Sequence, residues 1–235
     1  MQKHITIFTD GASSGNPGPG GWGTIVAYDD RVVELGGRED KTTNNRMELQ
    51  AVLEGLTFVV EERIVDQPIK LFTDSSYVAN GITSWIIGWQ KRNWTNQAGE
   101  TIANVDIWKK MAHVLKEVHV SITNISGHSG IPGNERADQI ATGFIKDSTF
   151  YLYNGDLKEY DVDLENIKVD PQQKKEKDRK KGKAYSYLSL IGGELKIHYT
   201  WNECKARVEG VKGAKYKKAV SKEDEETIKR SWGIK

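Results

Sequence analysis

Two segments of this chain repeat one pattern, an apolar run that ends in Phe-Thr-Asp. Residues 5–10 and 69–74 are rich in Ile, Phe and Thr, which favour β-strands, and they end on Asp10 and Asp74. Apolar residues at helical spacing predict a helix that begins near Asn44 and connects the two strands in parallel. Both carboxylates would then emerge at the same end of neighbouring strands. A single aspartate in such a place more often caps its own turn, so neither residue alone indicates a functional site.

Two further carboxylates lie near predicted helix starts. Glu48 falls beside the apolar face of the helix that begins near Asn44, and Asp138 follows Asn134, the cap of a later helix. Clustered carboxylates raise one another's pKa, and a divalent cation removes that cost. Hard oxygen ligands suit Mg²⁺ or Mn²⁺. Two such ions roughly 3.5–4 Å apart can activate a water and stabilise the leaving oxygen of a phosphodiester. We therefore expect two Mg²⁺ ions, for which Mn²⁺ could substitute.

The segment between the first two predicted strands, residues 11–21, contains five glycines and two prolines. Glycine allows positive φ and proline removes a backbone donor, so the composition predicts a tight loop. Strands at 22–28 and 31–37 would follow as an antiparallel meander. A helix is expected at 101–116 and a strand at 118–125.

Composition places the chain among ordinary globular proteins, with 37% apolar and 29% charged residues in 235. The net charge of +1 does not indicate a strongly basic nucleic-acid binder, so local patches matter more than the total. Cys204 is the one cysteine, which excludes an intrachain disulfide and fits a reducing compartment. The chain begins without an apolar signal segment and contains no run of 18 apolar residues. We expect a cytoplasmic protein that does not enter membranes.

The composition also predicts three regions. Residues 1–150 carry the motifs, 151–183 form a basic flexible linker, and 184–235 form a second compact unit. The linker assignment depends on 171–183, where Pro171 is the one apolar residue. The second unit is expected to contain a hairpin, a capped helix, a strand and an acidic helix, at 185–199, 200–208, 214–220 and 221–232.

Six motifs follow one another over residues 1 to about 147: Phe-Thr-Asp-Gly at 8–11, the glycine-rich run at 15–21, Thr-Asn-Asn-Arg-Met-Glu-Leu at 43–49, Thr-Asp-Ser at 73–75, Gly-His at 127–128 and Asn-Glu-Arg-Ala-Asp at 134–138. In these motifs and in their order, this part of the chain resembles type 1 ribonuclease H. The resemblance implies an α/β fold, with a mixed five-stranded sheet and flanking helices. It also implies an endonuclease that hydrolyses the RNA strand of RNA–DNA hybrids with Mg²⁺, leaving 5′-phosphate and 3′-hydroxyl ends.

The resemblance also assigns roles at the catalytic centre. Asp10, Glu48, Asp74 and Asp138 match the family's metal ligands and catalytic carboxylates. His128 matches a loop histidine that helps proton transfer or product release. A lone histidine in a loop is otherwise most often a solvated side chain.

Further matches concern the nucleic acid. The residues that resemble contacts to the minor groove and RNA 2′-hydroxyls are Asn16, Asn44 and Asn45. Thr43 and Asn104 resemble residues that hold a phosphate of the DNA strand, with cap hydrogen bonding as the alternative. The basic protrusion that grips the DNA strand is matched by Trp85, Trp89, Lys91, Arg92 and Trp94. Aromatic residues there could equally belong to the core, and we expect this in part for Trp85.

The last region resembles the small α/β hybrid-binding domain, also called viroplasmin-like, which is usually N-terminal in relatives. Trp201 and Tyr216 match an aromatic pair that stacks on DNA sugars, and Lys217 and Lys218 match phosphate contacts. The alternative is a small structural or dimerising module. We expect an RNA–DNA hybrid as the partner and a monomeric chain, with a dimer through this region as the alternative.

Two rival functions remain at this point. A transposase-like or integrase-like nuclease shares the expected fold, but the placement of Glu48 and Asp138 disfavours it. A catalytically silent hybrid-binding protein is disfavoured because all four carboxylates are present.

Overall fold

The computed structural model describes residues 4–127, 129–146, 150–168 and 183–234. The chain divides into two compact units, residues 1–169 and 170–235. Among the helices described, none is both long and apolar enough to cross a bilayer.

A mixed sheet of six strands forms the centre of the first unit, in the order β5-β4-β1-β2-β3-β6. The strands are β1 Ile5–Ser13, β2 Gly18–Tyr28, β3 Arg31–Thr42, β4 Ile69–Thr73, β5 Val120–Asn124 and β6 Asn154–Asp156. β1 and β5 pair in parallel with β4, and the other neighbours are antiparallel. The α/β class and the mixed sheet are confirmed, with six strands where five were expected.

Helices cover both faces of this sheet. They are α1 Asn44–Glu61, α2 Ser76–Asn80, a π-helical turn Gly81–Trp85, α3 Ile86–Lys91, α4 Val105–Val114 and α5 Pro132–Lys146. Alternation along β1 sends Ile5 and Ile7 into the core shared with α1 and α4, and Phe8 into the core shared with α5. Because β1 is buried on both faces, it is the strand around which the unit packs.

The glycine-rich segment 11–21 is mostly strand, which corrects the expected loop. β1 continues through Asp10 to Ser13 and pairs with the start of β2, so the connection is shorter than expected. The glycines serve close approach between elements. A β-carbon on Gly11 would collide with the backbone of Met47 and Glu48 in α1, and one on Gly23 would collide with the Ala137 carbonyl in α5. Absent side chains therefore let both helices contact the sheet backbone.

Residues 150–168, which the sequence assigns almost entirely to the linker, pack on the first unit. β6 pairs with β3, Leu164 is buried, and Leu152 and Val162 pack against the same core as α5. The sequence did not predict this packing, because the segment is rich in acidic residues and its apolar residues follow neither a helical nor a strand period over its whole length. The rest of the expected linker, 169–182, lies outside the described residues.

The second unit contains a three-stranded antiparallel sheet in the order β8-β7-β9. Its elements are β7 Ser186–Ile191, β8 Glu194–His198, α6 Trp201–Val208, β9 Lys215–Ala219 and α7 Lys222–Ser231. The predicted capping box is present at α6: Glu203 N–H donates to Thr200 Oγ1, and the Thr200 N–H donates to the Glu203 carboxylate. The expected hairpin, strand and acidic helix are all observed.

Candidate active site

Three carboxylates meet where β1, β4 and α1 come together. Asp10, Glu48 and Asp74 each present an oxygen within 4.8 Å of the others, close enough to share a metal ion. Asp10 and Glu48 are buried, and Asp74 is half-buried. The sequence prediction that these three side chains converge is confirmed.

Their convergence follows from strand register and from one glycine. Thr9 pairs with Thr73 in the parallel ladder, so the next residues, Asp10 and Asp74, leave it side by side. Glu48 arrives from the first turns of α1, which Thr43 caps by accepting the Arg46 N–H. The contact of this helix backbone with Gly11 brings the Glu48 carboxylate next to Asp10.

Two of the three groups, Asp10 and Glu48, lie in surroundings that disfavour their charged forms. Burial, with smaller contributions from Asp74 and Asp138, raises the pKa of Asp10 to about 8. The Gly11 N–H, which donates to Asp10 Oδ1 at 2.7 Å, offsets this in part. Burial, followed by Asp10 and Asp74, also raises the pKa of Glu48 well above its ordinary value. Both buried acids therefore favour the protonated form until positive charge arrives.

One oxygen in the cluster lacks a partner. Glu48 Oε1 accepts from Asn44 Nδ2 at 3.3 Å, whereas Glu48 Oε2 is buried without a hydrogen-bond partner among the residues described. An orphaned buried carboxylate oxygen is costly, and a metal ion is the kind of partner that satisfies it. The donor set consists of carboxylate oxygens, which suit Mg²⁺ or Mn²⁺. The cluster could therefore hold a metal ion.

Asp138 lies near this group and outside it. It is half-buried on α5, and its charge contributes to the raised pKa of Asp10, yet it is not among the three residues within mutual ligand distance. The predicted four-carboxylate cluster thus appears as three closely grouped residues and one neighbour. Glu135, which sequence reasoning did not select, also raises the pKa of Asp10 and accepts the Gly130 N–H at 3.3 Å.

His128 lies outside the described residues. The residue before it, Gly127, sits against Asp74, since a β-carbon there would collide with Asp74 Oδ2. The backbone at Gly127 therefore lies against the carboxylate cluster.

The candidate hybrid-reading residues lie in a connection between strands and at the starts of two helices. Asn16 is exposed between β1 and β2, and Asn44 and Asn45 are exposed in the first turn of α1. Asn104 precedes α4 in a left-handed conformation with φ 57°, so this helix starts at Val105 and not at the expected 101. Its amide donates to Tyr77 Oη at 3.4 Å.

The three protrusion tryptophans differ in burial. Trp89 and Trp94 are half-buried against the core, with Trp89 at 5.2 Å from the Trp108 ring centroid. Trp85, expected to be the partly buried one, is 39% exposed. Lys91 and Arg92 are exposed. The structure therefore leaves Trp85 and the two basic residues most accessible to a ligand.

An aromatic surface marks the second unit. Trp201 and Tyr216 are 41% and 55% exposed, with ring centroids 5.7 Å apart. Tyr187, which sequence reasoning missed, also lies 5.7 Å from Trp201. Lys218 pairs with Tyr187 across the ladder and shares its face, whereas Lys217 pairs with Leu188 and points to the opposite face. The alternation of side chains along a strand is the sequence signal that predicts this split.

Comparisons with known proteins agree with this geometry. The RNase H family model matches residues 2–146, and a model described as Ribonuclease H1 N-terminal domain matches residues 191–224. Ribonuclease H of Agrobacterium fabrum is 46% identical over 139 residues, which cover 59% of this chain and 92% of that protein. Ribonuclease H of Afipia carboxidovorans is 49% identical over 141 residues, 60% of this chain and 92% of that protein.

Solved structures show the same fold. LC9-RNase H1, described as a type 1 RNase H with the type 2 active-site motif, has a TM-score of 0.59 at 26% identity and covers 68% of this chain and 81% of its own. A foamy viral protease-reverse transcriptase in complex with RNA/DNA hybrid has a TM-score of 0.50 at 19% identity, covering 61% of this chain and 20% of that one. This second likeness concerns the fold alone. Since the family model matches more than half of the chain, and the relatives match nearly their whole length, the chain belongs to the ribonuclease H family of enzymes.

Proposed function

We propose that this protein hydrolyses the RNA strand of RNA–DNA hybrids by a two-metal-ion mechanism, leaving 5′-phosphate and 3′-hydroxyl ends. The observation that carries the proposal is the cluster of Asp10, Glu48 and Asp74 inside a ribonuclease H fold, in which burial raises the pKa of Asp10 and of Glu48. Family membership alone would not establish that this chain keeps a working centre. The presence of all four carboxylates, together with the raised pKa values of Asp10 and Glu48, supports that it does.

Within this proposal the four carboxylates hold Mg²⁺, and Asp138 completes the set from α5. Bound ions would activate the attacking water and stabilise the charge on the leaving oxygen. The protein fixes the ligand oxygens before substrate arrives, because Asp10 sits in a strand buried on both faces and Glu48 in a helix seated on Gly11. His128 would assist proton transfer or product release from the loop that follows Gly127.

Selection of RNA over DNA is proposed to come from Asn16, Asn44 and Asn45. These amides are exposed, and Asn44 contacts the carboxylate cluster through its hydrogen bond to Glu48. Amide groups can both donate to and accept from a ribose 2′-hydroxyl, which DNA lacks. Thr43 and Asn104 would hold a DNA phosphate, and Trp85, Lys91 and Arg92 would contact the DNA strand, with Trp89 and Trp94 supporting them from the core.

The second unit is proposed to bind the same hybrid. Its exposed Trp201 and Tyr216 offer a stacking surface, and Lys218 shares the face of Tyr216. Two binding units on one chain raise the local concentration of substrate at the catalytic unit. Trp201→Ala should weaken hybrid affinity about tenfold and leave the cleavage rate at saturating hybrid unchanged. Unchanged affinity would assign this unit a structural or dimerising role.

The test of the activity is cleavage of one labelled sequence in four forms, with Mg²⁺ and with EDTA. The forms are the RNA–DNA hybrid, double-stranded RNA, double-stranded DNA and single-stranded RNA. We expect cutting of the RNA strand in the hybrid alone, dependent on Mg²⁺, and end-labelling of the products should report 5′-phosphates. Binding without cutting would make the protein a silent hybrid binder. Cutting of duplex DNA would show that the asparagines do not read the 2′-hydroxyl.

A further inference from the structure

Residues 150–168 follow α5 and return across the sheet edge, and we call this segment the strap. The family model ends at residue 146, so the strap lies beyond the part of the chain that it matches. It adds β6 to the sheet: Val32 pairs with Gly155, and the Glu34 N–H donates to the Tyr153 carbonyl at 2.8 Å. Any role of the strap at the catalytic centre rests on the proposed function of Asp138.

The strap closes over one buried carboxylate, that of Glu34 on β3, whose side chain is 0% exposed. Four donors converge on its two oxygens. From α5, Arg136 Nε and Nη2 donate at 2.7 and 2.8 Å. From the strap, Tyr160 Oη donates at 2.6 Å and the Tyr153 N–H at 2.9 Å. A single carboxylate thus joins a strand, a helix and the strap.

A cation–π contact and an aromatic pair hold the strap against the same helix. The Arg136 guanidinium lies over the Phe150 ring at 5.5 Å, and Phe150 packs beside Phe144 at 6.0 Å between centroids. Gly143 has no room for a side chain because Phe150 occupies that space. Helix α5 is therefore fixed on two sides, by the sheet backbone at Gly23 and by the strap.

Helix geometry relates the contacts of Arg136 with Glu34 to the position of Asp138 on the same helix. Residues two apart on a helix point about 200° apart, so Arg136 and Asp138 face nearly opposite sides of α5. A rotation of α5 by about 10° would move a side-chain tip, about 5–6 Å from the axis, by about 1 Å. Displacements of that size matter at catalytic centres. Asp138 lies outside the close group of Asp10, Glu48 and Asp74. A displacement of about 1 Å would therefore change whether its carboxylate can share an ion with them.

We propose that Tyr160 and Glu34 are positioning residues that set the rotation of α5 through Arg136 and so place Asp138 against the other three carboxylates. Neither residue belongs to the proposed metal ligands or nucleic-acid contacts, and the Tyr160 hydroxyl is engaged by the buried Glu34 carboxylate. Arg136 transmits the constraint because both of its bonds to Glu34 act on the side of the helix opposite Asp138. The strap is in this account a working part of the catalytic unit, and its loss is expected to alter metal binding before it alters substrate binding.

The test compares Tyr160→Phe with Tyr151→Phe in the full chain. Both changes remove one hydroxyl from a strap tyrosine, and Tyr151 is 79% exposed, so it serves as the matched control. The first readout needs no turnover: broadening of the Asp138 and Asp10 backbone amide signals by Mn²⁺ in nitrogen-15-labelled protein. The second is the Mg²⁺ concentration that gives half-maximal cleavage.

We expect Tyr160→Phe to reduce Mn²⁺ broadening at Asp138 while broadening at Asp10 is kept. The half-maximal Mg²⁺ concentration should rise about tenfold, with hybrid affinity unchanged. Tyr151→Phe should match the original chain in both readouts. If Tyr160→Phe lowers only the unfolding midpoint and leaves both metal readouts unchanged, the strap stabilises the fold without positioning Asp138, and the proposal is overturned.

Asp138→Asn separates this inference from the function on which it rests. If this variant keeps full Mg²⁺-dependent cleavage and Asp10 broadening, Asp138 is not a ligand and the proposed catalytic set is wrong. If it loses cleavage while Tyr160→Phe behaves like Tyr151→Phe, the catalytic set stands and only the positioning role fails.

Discussion

Buried carboxylates in the catalytic unit have opposite electrostatic surroundings at two places, at Glu34 and at the pair Asp10 and Glu48. Burial alone would raise the pKa of Glu34, but hydrogen bonds from Arg136, Tyr160 and the Tyr153 N–H outweigh it and lower that pKa. Burial raises the pKa of Asp10 to about 8, and neighbouring acids add to it. Glu34 and Asp10 are both buried. The difference lies in whether the protein supplies donors and a cation, and it separates a structural ion pair from a site that requires a ligand.

The first prediction concerns removal of the Asp10 carboxylate, whose pKa is raised by burial. Asp10→Asn should reduce hybrid cleavage about a thousandfold or more, since charge stabilisation by a metal ion is worth several kcal/mol in the transition state. Hybrid affinity should stay within about threefold, because the proposed nucleic-acid contacts are elsewhere. Single-turnover cleavage and equilibrium binding in Ca²⁺ measure the two quantities. Retained cleavage would refute the two-metal assignment.

The second prediction concerns the Glu34 carboxylate, which is paired with Arg136. Glu34→Gln should lower the free energy of unfolding by about 3 kcal/mol, because the Arg136 guanidinium loses its ionic partner in a mostly buried place. Partial exposure of Arg136 puts the cost at the low end of the range for buried pairs. Urea denaturation followed by near-ultraviolet circular dichroism gives the value, with Tyr151→Phe as the control for a change on this surface. A loss below about 0.5 kcal/mol would show that the ion pair is not structural.

The third prediction reverses the sign of the effect on stability. Without metal at pH 8, Asp10→Asn should raise the free energy of unfolding by about 2 kcal/mol, since it removes a buried charge that the protein does not compensate. In the folded chain Asp10 binds a proton up to about pH 8, compared with an ordinary value of 3.8. The stability of the original chain should therefore fall as pH rises through this interval.

Urea denaturation in EDTA between pH 4 and pH 8 tests that slope. The slope should be shallower in Asp10→Asn and should diminish when Mg²⁺ replaces EDTA. Equal slopes in both proteins would mean that Asp10 has its ordinary pKa in the fold.

The smallest expected effect is the loss, at low pH, of the stability that the Glu34–Arg136 ion pair contributes. Because the folded pKa of Glu34 is lowered, its contribution to stability is present above its ordinary value of 4.5 and is lost as pH falls through the lowered value. The difference in unfolding free energy between the original chain and Glu34→Gln should therefore narrow below pH 4. A difference that stays constant down to pH 2 would contradict a charged pair as its source.

Much of the site was predictable because it depends on local patterns. The repeated Phe-Thr-Asp and the helix between its two copies are enough to place Asp10 and Asp74 side by side in parallel register, although β1 continues past Asp10 to Ser13. The position of Glu48 also follows from its helix. The second unit was equally accessible, because its turns and capping box are short-range signals.

What escaped prediction depends on contacts between distant residues. The glycines of 11–21 read as loop residues, yet Gly11 is there to admit the backbone of α1. The strap read as linker because nothing in its own sequence reveals that Tyr153 and Tyr160 bond to Glu34, more than 100 residues earlier. Asp138 could be assigned to the cluster by resemblance, but its looser placement relative to the other three required the structure.

The most direct test of this account is a carbon-13 NMR titration of side-chain carboxyl signals in the full chain. Without metal, the Asp10 signal should titrate near pH 8, Glu48 should titrate well above its ordinary range, and Glu34 should titrate below its own. Saturating Mg²⁺ should bring Asp10 and Glu48 back to acidic values and leave Glu34 unchanged. Ordinary acidic titration of Asp10 and Glu48 without metal, unaffected by Mg²⁺, would contradict the claim that these carboxylates form an uncompensated centre awaiting a cation.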